Sequence, residues 1–159
     1  MIRHTQPDIP AGLCYGHSDV PYEHEGFKAW QFNELWPTAY RAFSSPSARC
    51  HDLALRHSPK PICLDTRLME LNFGLWEGQL WNDIPRADTE PWTTDYVRHA
   101  PPGGETLRAL TERVWSFIED VAAFDETTAI FTHGGVIRVL LIAFYQEPIS
   151  QFFTREVRY

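Results

Sequence analysis

The segment from Thr128 to Phe144 constrains the fold of this chain more than any other. Residues 128–132 are apolar and β-branched, which predicts a buried strand. A His-Gly-Gly sequence follows, and residues 134–144 have the apolar pattern of a buried helix. A strand that passes directly into a helix is typical of α/β folds with a mainly parallel sheet.

The rest of the chain alternates between strand and helix patterns in the same way. Met1 to His4 has the pattern of a short strand end, and a long amphipathic helix is predicted to begin near Gly103. Further strands are predicted at 40–44, 61–64 and 152–157, and further helices at 23–36, 47–57, 81–84 and 91–97. We therefore expect one α/β domain over residues 1–159.

Residues 65–104 are irregular and rich in Trp, Pro and Asp. Long connections inside compact domains tend to be functional, so we interpret this segment as a cap or lid over a cleft. Four of its aromatic residues have two open interpretations: they form either the core of the cap or a wall that contacts a ring of the substrate. These four are Trp76, Trp81, Trp92 and Tyr96.

The net charge limits the kinds of binding partner that we expect, and the cysteine content indicates the redox compartment. The chain has 14 basic and 21 acidic residues, a net charge of -7, which argues against a general nucleic-acid or anionic-membrane binder. A local arginine cluster would still allow a small phosphorylated metabolite. The three cysteines are an odd number without a CxxC motif, so we expect free thiols and a reducing compartment.

Targeting and membrane signals are not recognisable in the sequence. The chain opens without the pattern of a secretory signal. Its longest apolar stretch, 136–145, is interrupted by Arg138 and is too short to cross a bilayer. We expect a cytoplasmic protein without membrane contact, and the sequence leaves the oligomeric state open, a dimer included.

Two histidines stand where predicted strands end. Arg3-His4 closes the first strand, and His133 follows the strand at 128–132. Ligands of open α/β sheets bind at this edge. A neutral imidazole can accept a phosphoryl group, so His4 is the candidate nucleophile. A protonated His133 would stabilise that group, and Gly134 would allow the backbone to approach it. Taken alone, His4 fits an ordinary surface or core histidine better than a nucleophile, and His133 could be a helix N-terminal histidine without a ligand.

Arg49 and Glu70 complete the candidate constellation. Arg49 follows a Ser-Ser-Pro-Ser turn at the start of a predicted helix, where anions are favoured, and with Arg3 it could clamp phosphate oxygens. Glu70 has apolar neighbours that would desolvate it and raise its pKa, which suits a general acid. Glu77 competes with it, but the turn at Gly78 suggests a more exposed position. Arg49 could instead be a solvated helix residue, and Glu70 a capping or ion-pairing one.

These motifs together resemble the histidine phosphatase superfamily, whose fold is phosphoglycerate mutase-like. The resemblance covers nearly the whole chain. It rests on Arg3-His4, the Ser-Ser-Pro turn before Arg49, the stretch from Leu68 through Glu70 to Gly78, and Thr132-His133-Gly134. Within the superfamily, residues 3–7, 12–21, 73–78 and 101–105 most resemble the bacterial alpha-ribazole phosphatases. The family resemblance implies a three-layer α/β sandwich. It also implies that Tyr15 and Gly16 contact the substrate. Thr5 stands where members usually have Gly.

The activity implied is phosphomonoester hydrolysis through a phosphohistidine, in the manner of bacterial alpha-ribazole phosphatases. We expect no cofactor and no metal, because cationic side chains take the metal's role and the histidine spacing matches no zinc pattern. Two alternatives stay open. One is a phosphoglycerate mutase-type phosphotransferase, and the other is a catalytically weak protein that binds a phosphorylated ligand.

Overall fold

The computed structural model describes residues 1–22, 40–58 and 61–159. The helix expected at 23–36 lies outside these residues. The described part contains a sheet with helices on both of its faces, matching the α/β architecture expected from the sequence.

Four parallel strands form the sheet. They are β1 (Ile2–Arg3), β2 (Arg41–Ser44), β3 (Ile62–Leu64) and β4 (Thr128–Thr132), in the order β1-β4-β2-β3. The two-residue strand β1 is as short as its sequence suggests, and in the described residues it lies at the edge of the sheet. Its pairing with β4 continues beyond Arg3, because the His4 N–H donates to the Thr132 carbonyl at 3.1 Å.

The described residues contain four α-helices beside the strands: α1 (Ala48–His57), α2 (Arg86–Thr94), α3 (Leu107–Ala122) and α4 (Gly134–Phe144). Strand β4 and helix α4 have the predicted bounds. Helix α3 begins after the predicted glycines, where the Thr106 hydroxyl accepts a hydrogen bond from the Ala109 N–H at 3.1 Å and caps the helix.

Three predictions of secondary structure were wrong. Helix α2 begins five residues earlier than expected and passes through Pro91, although proline lacks the N–H for one helical hydrogen bond. Residues 81–84 form turns. Residues 152–157 are not a strand but follow a 3₁₀ helix (Ile149–Gln151), because Phe152 packs into the core and Phe153 packs on Trp92.

The strands divide the core into two layers. Successive side chains of a strand point to opposite faces, so Phe43 and Ile130 lie in one hydrophobic cluster and Ala42 and Ala129 in the other. Helices α3 and α4 supply the first cluster, and α1 supplies Leu53 and Ala54 to the second. The result is the three-layer sandwich that the resemblance implied.

The segment 65–104 shares the larger of these two clusters. Besides α2 it contains two 3₁₀ helices, Thr66–Leu68 and Gly74–Trp76. Its buried apolar side chains pack together with those of α3 and α4. They are Leu68, Leu71, Phe73, Trp76, Ile84 and Trp92. Within the described ranges, no helix has both the length and the apolar character needed to cross a membrane.

Candidate active site

The carboxyl ends of β1 and β4 bring the two candidate histidines together. Arg3 pairs with Thr132 in the parallel ladder, so the next residue of each strand leaves the sheet at the same edge. The rings of His4 and His133 meet edge to face, with centroids 5.1 Å apart. Both side chains are buried. The strand-end argument from the sequence therefore placed this pair correctly.

His4 is held as a neutral imidazole with one free ring nitrogen. Its Nδ1 lies 2.7 Å from the Thr5 carbonyl, which can only accept, so Nδ1 carries the proton and Nε2 keeps its lone pair. Burial, with a further contribution from the Arg49 guanidinium, lowers the pKa of His4 to about 3. The contact uses the backbone of Thr5, so the threonine side chain at this position leaves the bond intact.

His133 is buried and contacts two side chains that precede or begin α1. Its Nε2 lies 2.8 Å from Ser45 Oγ and 3.5 Å from Cys50 Sγ. Burial is the main cause that lowers the pKa of His133 well below its ordinary value, and the charge of the Arg49 guanidinium adds to it. In the ligand-free protein His133 is therefore neutral. The three cysteines are unpaired, as expected.

Arg49 is the second residue of α1 and is fully buried. Its Nη2 donates to the Gly16 carbonyl at 2.7 Å, and its Nη1 donates to the Ser18 carbonyl at 3.0 Å. Its Nε is buried without a hydrogen-bond partner among the described residues. Gly16 must be glycine, because a Cβ there would lie 2.0 Å from the Leu71 carbonyl oxygen.

Glu77 holds the loop that orients Arg49. Oε1 accepts from the backbone N–H groups of His17 and Phe73 at 2.9 and 3.0 Å, and Oε2 accepts from the Ser18 N–H at 2.7 Å and from its hydroxyl. Burial opposes ionisation, but these hydrogen bonds outweigh it and lower the pKa of Glu77 below its usual value. Glu77 is thus half-buried and ionised, not the exposed residue that the turn at Gly78 suggested.

Arg3 faces the C-terminal residues of the chain. Its Nη1 donates to the Val157 carbonyl, and its guanidinium carbon lies 3.6 Å from the centre of the Tyr159 ring. The Tyr159 hydroxyl is 3.1 Å from that of Tyr15, and its ring centroid is 5.7 Å from that of His4. Tyr159 therefore covers the side of Arg3 and His4 where a phosphate is expected.

Glu70 is fixed by the start of α4. The Gly135 N–H donates to Oε1 and Oε2 at 3.1 and 3.0 Å, and the Leu71 N–H donates to Oε1 at 2.9 Å. A Cβ at position 135 would lie 2.0 Å from Glu70 Oε1. The adjacent Gly134 is less crowded, since a Cβ there would lie 3.3 Å from the Arg3 guanidinium.

Arg113 and Glu105 support this site, and the sequence reasoning missed their role. Arg113 donates to the carbonyls of Arg67, Met69 and Glu70 at 2.7–2.9 Å and pairs with Glu105 at 2.6 Å. A fork of this kind fixes the backbone beside the Glu70 side chain. One signal was present: Arg113 lies three residues after Leu110 and four before Phe117, so it is a charged residue on the buried stripe of α3.

A cavity of about 140 Å³ lies at this site. Arg3, Glu70 and Gly135 line it together with Tyr15 and Arg138. Burial lowers the pKa of Arg138, and its Nε donates to the Arg155 carbonyl at 2.8 Å. Across residues 1–22, 40–58 and 61–159, no three His, Cys, Asp or Glu side chains form a group that could hold a metal ion.

Comparison with known proteins gives a consistent result. The adenosylcobalamin/alpha-ribazole phosphatase of Salmonella typhimurium is 28% identical in an alignment that covers 94% of this chain and 80% of that protein. The crystal structure of a phosphoglycerate mutase from Thermus thermophilus is 31% identical with a TM-score of 0.71, covering 91% of this chain and 84% of that one.

A third relative supports the fold alone. The alpha-ribazole phosphatase from Shigella flexneri superposes with a TM-score of 0.80 at 23% identity, over 98% of this chain and 83% of that one. The family model of the histidine phosphatase superfamily (branch 1) matches residues 1–159. The two-histidine site at the strand ends and this full-length match lead to one assignment. The chain belongs to branch 1 of the histidine phosphatase superfamily.

Proposed function

We propose that this protein hydrolyses phosphomonoesters through a phosphohistidine on His4. The observation that carries the proposal is the state of His4: a buried, neutral imidazole whose Nδ1–H is held by the Thr5 carbonyl and whose Nε2 is free. A nucleophile with its tautomer fixed in this way can attack without first losing a proton.

In the first step Nε2 of His4 attacks phosphorus in line with the ester oxygen. The P–N bond forms as the P–O bond breaks, and Glu70 acts as the general acid that gives a proton to the leaving alkoxide. Arg3 and Arg49 stabilise the charge on the phosphoryl oxygens, which is the main protein contribution to phosphoryl transfer. Both arginines have a buried Nε without a partner among the described residues, and phosphate oxygens would supply acceptors.

In the second step water attacks the phosphohistidine. Glu70, now a carboxylate, takes a proton from that water, the P–O bond forms, the P–N bond breaks, and His4 returns to its neutral form. His133 acts beside the phosphoryl group as a hydrogen-bond donor. The negative charge of a bound phosphate would favour its protonation, which the ligand-free site disfavours.

The substrate proposed is a small phosphorylated metabolite of the alpha-ribazole 5′-phosphate type. The alpha-ribazole phosphatase activity of the Salmonella relative supports this choice. Tyr15, Gly16 and Gly134 would contact the substrate, and residues 65–104 would form the cap over it. We further propose that the protein acts in the cytoplasm without a cofactor or metal, with a dimer as the assembly to test.

The test measures phosphate release from an aryl phosphate in the presence of a chelator. The wild-type protein should turn over, and His4→Ala should lose essentially all activity while it keeps a wild-type thermal unfolding profile. Full activity in His4→Ala would overturn the proposed mechanism. Binding of phosphate esters without turnover in the wild type would favour the weak-catalyst alternative.

A mutase activity is the second candidate, favoured by the similarity to the Thermus phosphoglycerate mutase. A mutase returns the phosphoryl group from the enzyme to its substrate. Incubation with 3-phosphoglycerate separates the two candidates. Isomerised phosphoglycerate with no net release of phosphate would support the mutase, and release of phosphate would support the hydrolase.

A further inference from the structure

An aromatic cavity of about 500 Å³ lies beside the candidate active site. Its described lining is almost entirely apolar. The lining residues are Leu13, Tyr15, Phe73, Trp81, Trp92, Thr93, Tyr96 and Phe153. Three of the four aromatic residues that the sequence singled out therefore line a cavity. The fourth, Trp76, is buried and packs edge to face on Trp81 and Trp92.

The aromatic rings that line the cavity pack against one another. Trp81 and Trp92 lie stacked, with centroids 5.7 Å apart and planes inclined by 20°. Phe73 meets both edge to face, at 5.3 and 5.9 Å, and Phe153 meets Tyr96 at 4.9 Å. These contacts stabilise each ring against its neighbours, so the cavity does not depend on a bound molecule to hold its shape.

The aromatic cavity lies next to the smaller cavity that Arg3 and Glu70 line. Tyr15, Phe73 and Phe153 line both cavities. A phosphate ester held between Arg3 and Glu70 could therefore place its leaving group against these three rings. The aromatic cavity offers few hydrogen-bond donors to a ligand. The hydroxyl of Tyr96, one of its lining residues, already donates to the Ser150 carbonyl at 2.9 Å.

We propose that this cavity binds a flat, uncharged aromatic ring carried by the leaving group of the substrate. The inference rests on the proposed function and narrows its substrate class. A planar apolar ligand can stack favourably on the aromatic side chains of the cavity. A charged or heavily hydroxylated leaving group would lose its hydration without gaining hydrogen bonds, so the cavity discriminates against it.

The test compares two alkyl phosphates that differ only in the ring: 2-(1-naphthyl)ethyl phosphate and ethyl phosphate. Wild-type kcat/KM should be higher for the naphthyl ester. Trp81→Ala removes a half-buried wall of the cavity and should lower kcat/KM for the naphthyl ester by about tenfold. The same variant should leave kcat/KM for ethyl phosphate within about twofold of wild type.

A second pair of variants keeps the test independent of the stability of Trp81→Ala. Thr93 is exposed on α2 and lines the cavity, whereas its neighbour Thr94 is exposed and does not line it. Thr93→Trp should fill the cavity and lower activity on the naphthyl ester selectively. Thr94→Trp, the matched control, should leave both esters at wild-type rates.

The outcomes separate this inference from the proposed function. If neither ester releases phosphate with the wild-type protein, the proposed function fails. If both esters are hydrolysed but Trp81→Ala and Thr93→Trp change the two rates equally, or change neither, the proposed function stands and the aromatic site is overturned.

Discussion

Gly135 packs directly against the Glu70 carboxylate, and position 135 has no room for a side chain. The Gly135 N–H donates to both carboxylate oxygens of Glu70, and a Cβ built on Gly135 would lie 2.0 Å from Oε1. The proposed proton donor is thus held by the first turn of α4, the same turn that follows His133. The turn that ends β4 sets the positions of two candidate catalytic groups.

Gly135→Ala should therefore displace Glu70 and lower kcat by about 10²-fold, the lower range for loss of a general acid. Gly134→Ala is the matched comparison. Its Cβ would meet only the end of the flexible Arg3 side chain at 3.3 Å, so its loss of kcat should be smaller. Steady-state kinetics with thermal unfolding of both variants checks the prediction, and equal losses in the two would contradict it.

Glu77→Gln should weaken substrate binding more than the chemical step. The charged carboxylate accepts hydrogen bonds from the loop whose carbonyls orient Arg49, and the amide cannot accept all of them. We expect a raised KM with a smaller change in kcat, and a loss of about 1–3 kcal/mol in the free energy of unfolding. A kcat effect with unchanged KM would argue against this positioning role.

The contribution of the Glu77 carboxylate to the free energy of unfolding should depend on pH. Because the folded state lowers the pKa of Glu77 below its ordinary value of 4.5, its stabilisation is present above that pH and is lost as the pH falls through the folded pKa. Denaturant titrations of wild type and Glu77→Gln should therefore converge toward acid pH. A difference that stays constant down to about pH 3 would contradict the assignment.

The titration of His4 should also lower the stability of the fold as the pH falls. Its folded pKa is about 3 against the ordinary histidine value of 6.5, so between these values the unfolded chain binds more protons than the folded one. The free energy of unfolding should fall as the pH is lowered through this window. His4→Asn should reduce that slope by up to about one proton, or roughly 1.4 kcal/mol per pH unit. Identical slopes would show that His4 titrates normally in the fold.

Tyr159 should compete with the substrate. Its ring covers the Arg3 guanidinium at 3.6 Å and lies beside His4, so a bound phosphate has to displace it. Tyr159→Ala should lower KM for a small phosphate ester such as ethyl phosphate. Tyr159→Phe keeps the ring over Arg3 and should leave KM close to the wild-type value. A higher KM in Tyr159→Ala would instead show that the ring helps to bind substrate.

The sequence predicted the elements whose patterns are unambiguous and the residues that stand at their ends. Strand β4 and helix α4 were located to the residue because a β-branched run meets a glycine pair there. His4 and His133 were paired from strand ends alone. Residues 152–157 were assigned wrongly, because the apolar pattern does not tell whether Phe152 and Phe153 join a sheet or pack on aromatic rings.

The supporting residues were harder to find for a physical reason. Glu77 and Arg113 act on backbone groups far away in sequence. The position of Arg113 on the buried stripe of α3 indicates that it has a partner, but no local pattern tells which backbone groups these side chains contact. The neutral state of His133 in the ligand-free protein could not be predicted either, because it depends on burial and on the charges around the ring, which only the assembled structure provides.

The position of the covalent intermediate is the most direct test of His4 as the nucleophile. Protein mixed with a radiolabelled aryl phosphate should be quenched in base, in which phosphohistidine survives, and then digested and mapped. We expect label on His4, its loss during a chase with unlabelled substrate, and no label in His4→Ala. Turnover without label on His4, or label on another residue, would contradict it.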